Sequence, residues 1–63
     1  MCLSTVYKNV KTPDSIVMRN VMSIECTADA VILTDLMEHS VTVPGKLVSA
    51  NLVDGYVIVQ TEE

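Results

Sequence analysis

The sequence predicts a small all-β domain over residues 1–63, built as a twisted antiparallel sheet or a partly open barrel of six to seven short strands. Three observations lead there. β-Branched residues dominate the chain, and they favour a pleated, half-buried backbone. Turn chemistry recurs at short intervals, at Thr12-Pro13-Asp14, Ala28-Asp29, Pro44-Gly45 and Asp54-Gly55. The best helix candidate, Leu33 to His39, is too short to stand alone and supports one turn at most.

The first strand runs from Cys2 to Lys8. Its alternation puts Leu3, Thr5 and Tyr7 on one face and Cys2, Ser4 and Val6 on the other. Proline presets the turn that follows. The next apolar run, Ser15 to Thr27, is long for one strand and should bend or break near Asn20. Its second half sets Met22, Ile24 and Cys26 against Val21, Ser23 and Glu25, and the more apolar set is expected to face inward. Ala30 to Leu36 reads as a central buried strand. Met37 to Ser40 is a polar connection, and Val41 to Val43 is a short strand stopped by Pro44-Gly45. Lys46 to Val53 and Gly55 to Thr61 form a hairpin about Asp54-Gly55, and Glu62-Glu63 is a solvated end.

Sixty-three residues hold one domain. A chain this short buries only about 60% of its unfolded surface, so a metal or a second subunit is an expected aid to stability. Eight acidic side chains against four basic ones give a net charge of −4. Lys8, Lys11, Arg19 and Lys46 are spread along the chain, and the aromatic residues are Tyr7 and Tyr56. Nucleic acid is therefore not an expected partner, since phosphate binding needs massed cations and single strands need stacking platforms. No apolar run reaches the length of a membrane helix, and no leader pattern is present. A cytoplasmic protein without membrane contact is expected, its cysteines held as thiols.

Cys2 is the chief candidate for chemistry. Removal of Met1 would leave an α-amine and a thiolate on one residue, and together they close a five-membered chelate ring. With Met1 retained, the Cys2 amide nitrogen could serve instead. Two such termini meeting across a twofold axis offer two nitrogens and two sulfurs, a donor set suited to Ni(II) or Cu(II). Position alone favours a plainer role, a small hydrophobe opening an edge strand.

Cys26 reads as a packed structural thiol. His39, the one histidine, reads as a solvated turn residue, with an axial or outer-shell role at a metal as the alternative. Met1, Met18, Met22 and Met37 read as core filling. Neither a Ser-His-Asp set nor a glycine-rich phosphate loop is present, so no catalytic residues are assigned and an enzyme is not expected.

The opening Met1-Cys2-Leu3, the length, the strand order, the His39…Pro44-Gly45 region and the close after Asp54-Gly55 resemble the CooT-type small nickel-binding proteins. The resemblance covers nearly the whole chain. It implies a homodimer that binds one Ni(II) through the Cys2 of each subunit. It also implies a role in supplying nickel to carbon monoxide dehydrogenase or to other nickel enzymes and their maturation machinery. HypC-type hydrogenase maturation proteins also begin Met-Cys-Leu, form small barrels, and carry iron on that cysteine to a partner protein. They continue with an Ile-Pro-Gly-like segment and end in a helix. Here Ser4-Thr5-Val6-Tyr7 follows, and the last apolar run reads as a strand. A small β-barrel that binds nucleic acid or a small molecule, with Cys2 incidental, is the remaining alternative.

Overall fold

The computed structural model describes residues 3–61. Six strands form one sheet: β1 (Ser4–Lys8), β2 (Ile16–Cys26), β3 (Ala30–Asp35), β4 (Ser40–Pro44), β5 (Lys46–Asn51) and β6 (Tyr56–Gln60). A single 3₁₀ turn at Pro13–Ser15 precedes β2, where proline sits at the start of the turn and needs no amide donor. In space the strands lie in the order β4-β3-β2-β1-β6-β5.

The expected antiparallel pairing holds for four neighbouring pairs, whereas β1 and β6 run parallel. The β5–β6 hairpin sets the direction of β6, and β6 then enters beside β1 with the rest of the chain as the crossover. No ladder closes the sheet into a barrel.

The chain does close it covalently. β4 and β5 occupy opposite edges, yet only Gly45 separates them. The sheet must curl until its edges approach. Gly45 is the corner, with φ 139° and its amide donating to the Asp29 carbonyl. A Cβ there would overlap the Gln60 carbonyl, so glycine is required by both torsion and space.

β2 is the second device for curvature. Its first half pairs with β1 and its second half with β3, so it belongs to two half-sheets. The register slips on both sides of Val21, and Asn20 adopts φ 56°. The expected bend near Asn20 is thus a set of bulges within a continuous strand.

Of the set expected to face inward, Ile24 does so, whereas Met22 and Cys26 do not. Val21 is 3% exposed, and Met22 is 49% exposed. Two residues of β2, Val21 and Ile24, pack toward the core across the slip. An extra residue in a period-2 pattern exchanges the faces beyond it. Cys26, expected as a buried thiol, is exposed. Of the described methionines only Met18 packs on the core, and Met37 is 74% exposed.

The core comprises Val6, Val21, Val31, Leu33, Val43, Val57 and Val59. The pairs Val31/Leu33 and Val57/Val59 keep strict alternation. Removing each such side chain from water favours folding by about 1.5–3 kcal/mol before chain entropy is counted. Asn9 locks the far end of this core. Its amide donates to the Val59 carbonyl, and its Oδ1 accepts the Thr61 amide at 3.0 Å, 52 residues away in sequence.

Candidate functional site

Cys2 lies outside the described residues, so the site is built from the residues around the start of β1. Leu3, to which Cys2 is bonded, borders the β5–β6 hairpin: its carbonyl oxygen lies 3.6 Å from where a Cβ on Gly55 would stand. The Thr5 amide donates to the Gly55 carbonyl at 3.0 Å. On the other side Ser4 pairs with Val21.

The hairpin is held in one shape by Asn51. Its Oδ1 accepts the Val53 and Asp54 amides at 3.1 and 2.9 Å, its Nδ2 donates to Asp54 Oδ2 at 3.1 Å, and the Gly55 amide donates to its carbonyl. This side-chain-built turn leaves Leu52 and Val53 projecting, 73% and 91% exposed. The strand expected to reach Val53 therefore ends at Asn51, because the asparagine turns the backbone.

The β3–β4 turn is the second feature on this side of the sheet. Asp35 pairs with Val21, and so stands two strand spacings, roughly 10 Å, from Ser4. Asp35 Oδ1 accepts the amides of Met37 and His39, each at 2.9 Å, and Oδ2 faces His39 Nδ1 at 3.3 Å. The Glu38 amide donates to the Asp35 carbonyl, and Glu38 takes φ 67° to close the turn. Hydrogen bonding from the His39 amide, aided by its ring and by the Met37 amide, holds the Asp35 carboxyl below its ordinary pKa, against a smaller opposing effect of desolvation. His39 is thus a turn residue with a carboxylate partner and a 75% exposed side chain. The single helical turn allowed in Leu33–His39 is this hairpin turn instead.

Cys26 ends β2 beyond the pairing with β1 and is not gathered with His39. Among the described residues no group of three or more His, Cys, Asp or Glu is placed to hold a metal ion. Tyr7 and Tyr56, considered as stacking residues, meet edge to face at 6.5 Å, and the Lys11 ammonium lies 4.3 Å over the Tyr56 ring. No helix among the described residues is long and apolar enough to cross a membrane. The turn-forming roles of Asp35 and Asn51 escaped sequence reasoning, although an Asp or Asn ahead of a polar turn is the available signal.

Comparison with known proteins adds to this geometry. The model of the family described as "CO dehydrogenase accessory protein CooT" matches residues 1–60. A crystal structure assigned as CooT from Carboxydothermus hydrogenoformans superimposes with a TM-score of 0.82 at 14% sequence identity, over 98% of this chain and 100% of that one. At that identity the likeness speaks for the fold. No curated protein matches the chain significantly.

Proposed function

The chain belongs to the CooT family of carbon monoxide dehydrogenase accessory proteins, and from that premise we propose that it is a nickel-binding homodimer that carries one Ni(II) between the Cys2 residues of its two subunits. It is an accessory protein, not an enzyme. Its client is a carbon monoxide dehydrogenase or another nickel enzyme, which receives the ion from it.

The observation that carries this reading is the span of the family match, which begins at residue 1 and so includes Met1-Cys2-Leu3. The chemistry of Cys2 fits the cargo. A thiolate and a nitrogen on the same residue are a chelating pair, and two pairs make the four-donor N/S set that Ni(II) accepts in a planar field. Two local features support placing it there. Leu3 lies beside the hairpin turn built by Asn51, and that turn leaves Leu52 and Val53 exposed, available for a second subunit to cover.

Nickel titration followed by thiolate-to-metal charge-transfer absorbance tests the reading. The parent is expected to saturate at one ion per two chains, and Cys2→Ser to lose the band while keeping its fold. Affinity is expected to fall with pH, as protons compete for sulfur and nitrogen. A Cys2→Ser variant that binds nickel as tightly as the parent would refute it.

A further inference from the structure

Lys8 closes β1 as an exposed residue. It follows the buried Ser4 and Val6 in alternation and stands in register with Val59 of β6. It ends the strand at the mouth of the curled sheet, the opposite end of β1 from Leu3. A concavity of about 290 Å³ opens there. Val17, Val43 and Pro44 give it an apolar wall, and Thr42 adds a hydroxyl. Asp14, on the 3₁₀ turn before β2, lines it too. Lys8 and Asp14 form no ion pair with each other: the ion pair within 4.0 Å among the described residues is His39–Asp35. One cavity thus displays both charges without neutralising either.

We propose that this mouth binds a free amino acid with a short apolar side chain. Lys8 receives the carboxylate, Asp14 receives the ammonium group, and Val17 with Pro44 takes the side chain. The paired charges select the zwitterion. A simple anion meets Asp14 and a chain of net charge −4, whereas a simple cation meets Lys8. A concavity of about 290 Å³ has room for a molecule of valine's size. Small-molecule sites commonly combine an apolar wall with a few polar groups in this way. The site uses neither Cys2 nor a second subunit, so it stands or falls apart from the nickel reading.

Amide NMR of the full chain titrated with L-valine tests it, with isobutyrate and isobutylamine as analogues that keep one charge each. Saturable shifts at Lys8, Val17 and Thr42, with affinity on the order of millimolar, are expected for valine. Each analogue is expected to bind about tenfold or more weakly, and so are Lys8→Gln and Asp14→Asn with valine. Asp14 is exposed on a turn, so its variant keeps the fold even if the Lys8 variant does not. Absence of saturable shifts at the mouth overturns the proposal. Isobutyrate or isobutylamine binding as well as valine, or undiminished valine binding by Asp14→Asn, does so too.

Discussion

Gly45 and Gly55 both take positive φ, but they bear different loads. At Gly55 (φ 78°) an added Cβ would meet the Leu3 carbonyl oxygen at 3.6 Å, an ordinary contact. Gly55→Ala is therefore expected to destabilise by about 1–2 kcal/mol, the cost of a left-handed alanine. At Gly45 the same change adds overlap with the Gln60 backbone to a poor torsion. Gly45→Ala is expected to cost about 3 kcal/mol or more, or to prevent folding, because the sheet edges can no longer meet. Urea unfolding of the two variants compares them directly, and equal losses would mean that the corner yields. Cys26 supplies a prediction of the opposite kind. Being exposed, it should tolerate Cys26→Ser within about 0.5 kcal/mol. In a Cys2→Ser background its thiol should react with a disulfide reagent without unfolding.

The β3–β4 turn links structure to pH. Asp35 has a folded pKa below its ordinary value, chiefly through the His39 amide. A depressed carboxylate adds stability that is fully present above the unfolded pKa, about 3.9. That stability disappears as pH falls through the lower folded value. Asp35→Asn is therefore expected to be less stable than the parent at neutral pH and to lose less on acidification below about pH 4. Thermal melts across that range check the sign, and parallel curves would contradict it. The same element shows what the sequence made legible. The existence and order of the six strands were readable from β-branched runs and from Pro, Gly and Asp placement, because those signals are local, whereas the turns built by Asp35 and Asn51 were not. The bulges in β2 were not, since a register slip depends on which residues of β1 and β3 lie opposite. The slip between Val21 and Ser23 turns Met22 outward while Ile24 keeps its expected inward place, and Cys26 is exposed at the end of the strand. The parallel β1–β6 pair was hidden for the same reason, being a contact between opposite ends of the chain. Cys2 was readable as a candidate through its chemistry and the family likeness alone.

For the molecule as a whole, charge and apolar surface decide between partners. The net charge of −4 and the spread of Lys8, Lys11, Arg19 and Lys46 along the chain disfavour a phosphate backbone. Binding to RNA near physiological salt is expected to be undetectable, and tight binding that weakens steeply with added salt would contradict this. The apolar surface points to a protein partner instead. Seven hydrophobic residues are buried, while nine large ones, from Val10 to Val53, stand exposed among the described residues. A domain of this size has little core to stabilise it, and a share of exposed apolar side chains larger than the buried one favours a protein partner. The reading of a twofold dimer therefore predicts assembly before metal is added. Metal-free protein is expected to sediment as a dimer at micromolar concentration. Its melting temperature should rise with protein concentration, because a dimer that forms only from folded chains draws stability from mass action. Sedimentation gives the stoichiometry, and the concentration dependence shows that the dimer comes apart on unfolding. A metal-free monomer that becomes a dimer only when Ni(II) is added would assign the dimer contact to the metal, and would leave the exposed apolar surface for the client protein.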